Sequence, residues 1–436
     1  MQTFLVIQLA RFGDVVQTKR LVRTLQQRGR VHLCVDRTLV ELARLVYPEA
    51  VVHGVAAHGI QDGAAVEHNR AVFGVLAGED FNTVYNCNHA GLNRAVARLF
   101  PPEIVRGHSM LGGQALRSSW VRMAFRWTRE RCIAPLNLVD FWAWLADDPL
   151  APEAVNPIAE GGGRGLGVVL AGRESRRSLP PPILAQAVCT ACEALGGPRI
   201  FLFGSAAERP AARRLLRHVP GRLLDRVCDL SGRTDWRALA EALTGLDVLL
   251  TPDTGTMHLA AHLGVPVRAF FLSSAWCHET GPYGTGHVVW QSVAPCAPCL
   301  ESAPCPRETA CLGAFAGTAF LRSLAISCDA GSLPDSGEPR HHPEEITLPS
   351  DMALFSSVQD GLGGTWRCVA GEDVHSRRRA VLRRLVGEYL GILPLRESGD
   401  AASVLAATLY DEGDWMLPPL ADRVHSQSVL SADRLL

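Results

Sequence analysis

The sequence predicts an α/β protein made of two successive units of alternating strands and helices. Three observations predict it. Residues 4–9 (FLVIQL) are an unbroken apolar run, as in a strand buried on both faces of a parallel sheet, and a helix-spaced segment follows at once. The alternation then breaks at 151–165, where Pro152, Pro157 and three consecutive glycines from Gly161 make the best linker in the chain. Beyond it a second alternation opens with 166–170 (LGVVL), and 436 residues are more than one ordinary core organises.

In the first half, the strand turns at 11–14 (RFGD), and 15–27 reads as one helix with Val15, Val16, Leu21, Val22 and Leu25 as its apolar positions. Gly13 sits in the turn. Asp14 therefore stands at the carboxyl end of a strand and in the first turn of a helix, where open α/β sheets bind ligands and the helix dipole favours a carboxylate. It has two readings: a cap, or a general base that takes a proton from an incoming hydroxyl. Gly-x-Gly-x-x-Gly is missing after this strand, so nothing points to NAD. Further strands are expected at 31–35 and 83–86, and helices at 39–46, 93–100 and 137–145. Residues 120–131 (WVRMAFRWTRER) interleave aromatics with arginines, as in an amphipathic helix with its aromatic side in the core or one lying on a membrane surface.

In the second half, 172–180 (GRESRRSLP) places three arginines in a polar loop beyond a buried strand. They are either a phosphate clamp or a solvated loop. A strand at 199–203 leads into Ser205-Ala206-Ala207-Glu208, in which Glu208 either closes a capping box or reaches a ligand. After the loop 229–234 (DLSGRT) and a helix at 236–243 comes 249–263 (LLTPDTGTMHLAAHL): a buried strand end, a tight polar turn and a helix starting on the turn. Pro252 stops the strand, and Asp253 and Thr254 are candidate caps. Gly255 has no Cβ to hold an anion away, Thr256 and Met257 fill the first turn, and His258 lies one turn in. The free N–H groups and the dipole of that helix tip favour an anion.

Cys296, Cys299, Cys305 and Cys311 pack four thiols into sixteen residues. Such spacing allows a tetrahedral structural zinc site, although only one Cys-x-x-Cys pair is present. Reduced or disulfide-linked cysteines are the other reading. Residues 331–349 read as a polar linker, 352–368 as a hairpin around 361–364, and 377–390 as a basic amphipathic helix.

Composition narrows the function. With 47% hydrophobic and 20% charged residues, the chain is that of a soluble globular protein, and a net charge of −1 gives no global field to recruit nucleic acid or membrane. Lys19 is the one lysine among 43 basic residues, and its context is neither a Walker A loop nor that of a Schiff-base nucleophile, which removes both classes. No apolar run approaches the roughly 18 residues of a spanning helix, and Met1 leads straight into a strand, so a cytoplasmic protein is expected. In that reducing compartment the 13 cysteines read as mostly buried thiols with one candidate metal site.

FLVIQLARFGDVVQ, GRESRRSLP, FGSAAERPA and DLSGRTDWRALAEALTGLDVLLTPDTGTMHLAAHLGVP occur in the order of glycosyltransferase family 9, the ADP-heptose:lipopolysaccharide heptosyltransferases, and roughly the first 330 residues resemble that family. The resemblance implies the GT-B fold, two Rossmann-like domains facing across a cleft, with an acceptor-side domain over 1–155 and a nucleotide-sugar domain over 165–330. A linker over 331–350 and an extension over 351–436 without an interpretable motif would follow. It also implies a role for each matching residue: Asp14 as the catalytic base, Arg177 at the donor phosphates, and Asp253, Thr254, Gly255 and His258 as the donor-binding turn. The family's Lys-Arg-Trp-Pro loop is here Arg177-Ser178-Leu179-Pro180. The implied reaction is metal-independent displacement with inversion. Arg177 and the helix tip at 254–257 would stabilise the leaving diphosphate. The implied partners are a nucleotide-diphosphate sugar, ADP-heptose in the family, and a lipopolysaccharide-core-type acceptor at the inner face of the cytoplasmic membrane. A catalytically idle sugar-nucleotide-binding protein is the alternative. A zinc-ribbon nucleic-acid binder is disfavoured by the neutral charge.

Overall fold

The computed structural model describes residues 1–60, 62–89, 91–111, 114–122, 131–170, 175–299, 304–305, 307–329 and 346–394. Two compact units divide the chain: residues 1–150 together with the segment from His375, and residues 151–374. Among the described residues no single helix is long and apolar enough to cross a membrane.

The first unit is a six-stranded sheet of β1 (Gln2–Gln8), β2 (Gly29–Asp36), β3 (Val51–Val55), β4 (Thr83–Asn86), β5 (Val105–Leu111) and β6 (Gln114–Arg117). Its order is β3-β2-β1-β4-β5-β6, parallel except for β6, which runs antiparallel to β5. Leu5, Val6 and Ile7 are fully buried, as expected of a strand covered on both faces. Because β1 is followed by β2 on one side while β4 lies on the other, strand order reverses between β1 and β4. That is where such sheets open a crevice at their carboxyl ends.

The single helix expected over 15–27 is two helices, Phe12–Gln17 and Lys19–Gln26. They part at Thr18, whose hydroxyl donates to the Val15 carbonyl at 2.7 Å, so the side chain competes with the helical ladder at the break. The expected strand at 83–86 is β4, and the helix at 137–145 is Leu138–Ala143. Of the aromatic and arginine stretch 120–131, residues 123–130 lie outside the described residues. Trp120 itself is buried, its indole N–H donating to the Phe141 carbonyl at 2.8 Å.

The basic amphipathic helix is found at Ser376–Tyr389 and packs on this unit. Leu382, Leu385 and Val386 are buried, the Arg379 guanidinium donates to the Cys132 carbonyl at 2.8 Å and 3.1 Å, and Tyr389 stacks on Trp120.

The second unit is an eight-stranded sheet with β7 (Leu166–Val169), β8 (Ile200–Phe203), β9 (Val227–Asp229), β10 (Val248–Pro252), β11 (Val267–Phe271), β12 (Val288–Ser292), β13 (Met352–Asp360) and β14 (Gly363–Ala370). The order is β14-β13-β12-β11-β10-β7-β8-β9. Strands β7 to β12 are parallel, and the hairpin expected at 352–368 adds β13 and β14 antiparallel at the edge. Phe270, Trp290, Phe315 and Phe320 form the aromatic heart of its core. Here strand order reverses between β7 and β10.

Lys19 carries a testable consequence of packing. The helix Lys19–Gln26 turns it inward, and burial, with the Arg23 charge adding to it, lowers its ammonium to about 7. Between that value and the ordinary value of 10.5, the unfolded chain holds a proton that the folded chain has released. The cost of burying the charge is therefore complete below pH 7 and is relieved as pH rises, by up to about 1.4 kcal/mol per pH unit. Urea titrations from pH 7 to 9 should show the wild type gaining stability relative to Lys19→Met, whose own curve lacks this contribution.

Candidate active site

Asp14 lies on the helix that follows β1, at the edge where strand order reverses. Its carboxylate accepts the Arg11 backbone N–H at 3.0 Å and is half-buried, so it caps the helix. Buried Tyr47, from the helix Val40–Val46 and its end, donates its hydroxyl to the Val15 carbonyl at 2.6 Å and holds this short helix down. The His58 ring reaches the Leu9 carbonyl at 2.8 Å on the other side of the same turn. Neither Tyr47 nor His58 stands out in the sequence, because each acts through a contact between residues distant in the chain.

In the second unit the proposed donor residues gather at the corresponding edge. Leu250 of β10 is in register with Val168 of β7, so the segments leaving the two strands emerge side by side. Arg177, in a 3-10 turn after β7, forms an ion pair with Asp253, which follows β10. Their side chains are only 20% and 11% exposed, so water screens the pair weakly. Thr254, with extended backbone, caps the helix Gly255–His262. Its hydroxyl accepts the Met257 N–H at 3.4 Å and lies 3.1 Å from the Thr251 hydroxyl. Met257 and His258 are buried, while Gly255 and Thr256 are partly open at the helix tip. The arrangement sets a guanidinium beside a helix N-terminus, and both attract an anion.

Glu208 closes the capping box. Its carboxylate accepts the Ser205 N–H, and the Ser205 hydroxyl accepts the Ala207 N–H at 3.2 Å. The neighbouring loop is locked to it through Gly232, at φ +62°, where a Cβ would come within 2.6 Å of the Ala206 Cα. Arg209 adds bonds to the carbonyls of Ser231 and Gly232 at 3.2 Å and 2.8 Å.

Cys296, Cys299, Cys305 and Cys311 line one cavity together with Arg176 and Leu272. Burial pushes the Cys311 thiol up, and the other three sulfurs add to it. Backbone N–H groups of Thr309 and Arg307, with the nearby Arg176, hold Cys305 down. Among the described residues no group of three or more His, Cys, Asp or Glu side chains is arranged to hold a metal ion. The Cys305 sulfur accepts the Thr309 N–H at 3.2 Å.

Residues 186–308 match the family model described as glycosyltransferase family 9 (heptosyltransferase). The matched stretch contains Glu208 and the whole turn from Asp253 to His258, whereas Asp14 and Arg177 lie outside it.

Lipopolysaccharide heptosyltransferase 1 of Pseudomonas aeruginosa is 37% identical over 99 residues, a match spanning 23% of this chain and 26% of that protein. The solved structure of E. coli ADP-heptose lps heptosyltransferase II aligns with a TM-score of 0.51 at 17% identity, over 75% of this chain and 99% of that one. E. coli heptosyltransferase WaaC with ADP aligns with a TM-score of 0.50 at 17% identity, over 66% of this chain and 92% of that one. The structural likeness identifies the fold as GT-B, with Rossmann-like α/β units before and after the family 9 segment begins.

Proposed function

We propose that this chain is an inverting glycosyltransferase that moves a heptose or related sugar from a nucleotide-diphosphate donor, ADP-heptose in the leading case, to a lipopolysaccharide-core-type acceptor at the inner face of the cytoplasmic membrane. The observation that carries this reading is the meeting of Arg177, Asp253 and the Thr254-capped helix tip at the strand-order reversal of the second sheet, most of it inside the family 9 segment. The related WaaC was solved with ADP, which supports the choice of nucleotide.

In the proposed reaction Asp14 takes the proton of the acceptor hydroxyl as its oxygen bonds to the anomeric carbon and the bond to the diphosphate breaks. Negative charge grows on the departing diphosphate. Arg177 and the N–H groups at Gly255 and Thr256 are the donors positioned to stabilise it. Asp253 holds Arg177 in place for this and keeps the guanidinium from swinging into solvent. The test is transfer itself: incubation with ADP-, UDP- or GDP-sugars and a truncated lipopolysaccharide acceptor should release a nucleoside diphosphate only when acceptor and the right donor are both present.

A further inference from the structure

The cysteine segment of the second unit takes no part in the reaction above, yet it brings four thiols to one cavity. Cys296 and Cys299 follow β12, Cys305 lies in the loop beyond, and Cys311 stands on the 3-10 helix Ala310–Ala316. All four are half-buried. The cavity they line with Arg176, Leu272 and Thr309 has about 30 Å³ of free space, enough for a water-sized molecule.

The fold fixes the walls of that cavity. The Cys299 N–H donates to the Ser273 carbonyl at 3.0 Å, which ties one side to the end of β11. On the other side Leu312 and Phe315 are buried, Phe315 against Phe270 and Phe320, so the helix that carries Cys311 belongs to the core. Between them the chain turns through Glu308 and Thr309 at φ +47° and +62°, a left-handed pair that residues with side chains rarely adopt. The turn aims the Thr309 N–H at the Cys305 sulfur.

Cys305 is set apart from the other thiols by what surrounds it. The backbone N–H groups of Thr309 and Arg307, and then the Arg176 guanidinium, favour its thiolate. Cys311 is its opposite: burial keeps the thiol protonated, and Cys296, Cys299 and Cys305 all lie near enough to raise it further. Elsewhere burial pushes Cys34 up to about 12 and raises Cys192 and Cys328 as well. The cluster therefore combines one activated sulfur with a protonated sulfur at the centre of the group, the two roles that peroxide-driven disulfide formation requires.

We propose that Cys305 and Cys311 form a thiol-oxidation site, in which Cys305 reacts with hydrogen peroxide and Cys311 resolves the product to a disulfide. The Cys305 thiolate attacks one peroxide oxygen as the O–O bond breaks. A sulfenic acid forms, and the departing hydroxide takes up a proton to become water. The Cys311 sulfur then attacks the Cys305 sulfur, the S–S bond forms, and the sulfenic oxygen leaves as a second water with the Cys311 proton. Two electrons pass from the two sulfurs to the peroxide. The site stands whether or not the transferase reading holds.

The experiment treats the reduced, full-length protein with equimolar hydrogen peroxide, blocks the remaining thiols with N-ethylmaleimide and maps the cysteines by peptide mass spectrometry. A Cys305–Cys311 disulfide that dithiothreitol reopens is expected, formed before the exposed Cys228 and Cys368 are oxidised. In Cys311→Ser the reaction should stop at a sulfenic acid on Cys305, which dimedone traps. Arg176→Gln should slow the loss of the Cys305 thiol by about threefold or more and leave the oxidation of Cys228 unchanged. Earlier oxidation of Cys228 or Cys368, a bond from Cys305 to Cys296 or Cys299 instead, or an Arg176→Gln rate equal to that of the wild type would overturn the site. So would stoichiometric zinc or iron in the purified protein with Cys305 protected from peroxide.

Discussion

Asp14→Asn is expected to lower the rate of sugar transfer by about 10²- to 10⁴-fold, the usual contribution of a positioned general base, while nucleotide-sugar binding stays as in the wild type. The amide oxygen of asparagine still accepts the Arg11 N–H that the carboxylate accepts now at 3.0 Å, so the helix cap survives while the base is lost. Asp14→Ala removes both. If Asp14 acts only as a cap, Asn should be nearly silent and Ala should cost on the order of 1 kcal/mol in stability with transfer intact. Steady-state transfer rates and donor affinities for the two variants separate these outcomes. Loss of donor binding in the Asn variant would remove Asp14 from the base role.

Truncating one member of the Arg20–Asp140 pair is expected to have the largest effect on stability. The two side chains meet at 2.6 Å and are 1% and 0% exposed. Arg20 also donates to the Leu150 carbonyl at 2.8 Å and lies over the Trp144 ring, so one guanidinium ties the helix Lys19–Gln26 to the last stretch of the first unit before the linker. Removing either charge strands the other in the core, which costs about 3–5 kcal/mol, whereas replacing both with apolar residues of similar volume is often neutral. Asp140→Ala should therefore lower the unfolding midpoint of the first unit sharply, and Arg20→Met with Asp140→Leu should recover most of it. Equal losses in the single and double variants would mean that the pair contributes through its shape alone.

How much of this was legible in the sequence depends on how far apart the interacting residues lie. Strands β1, β7 and β8 are short apolar runs bounded by polar turns, and the helix Trp236–Leu243 has clean apolar spacing, so periodicity finds them. The break at Thr18 is hidden, because a threonine inside a helical pattern gives no sign of where its hydroxyl will bond. The turn Asp253–Thr254–Gly255 is visible as a polar interruption between a strand and a helix. Its ion pair with Arg177, 76 residues earlier, exists only once β7 and β10 lie side by side. The β5–β6 register that pairs His108 with Arg117 likewise leaves no mark in composition. The four cysteines are legible by their spacing, whereas the Arg176 guanidinium and the backbone donors beside Cys305 appear only in the fold.

The measurement that bears most directly on the whole account is product analysis after incubating the purified chain with each nucleotide sugar and a heptose-deficient lipopolysaccharide acceptor. The account predicts equimolar nucleoside diphosphate and an acceptor heavier by one sugar, joined with the anomeric configuration opposite to that of the donor. A chain that binds a nucleotide sugar tightly yet leaves donor and acceptor unchanged would contradict it and would mark the protein as a sugar-nucleotide binder without transfer.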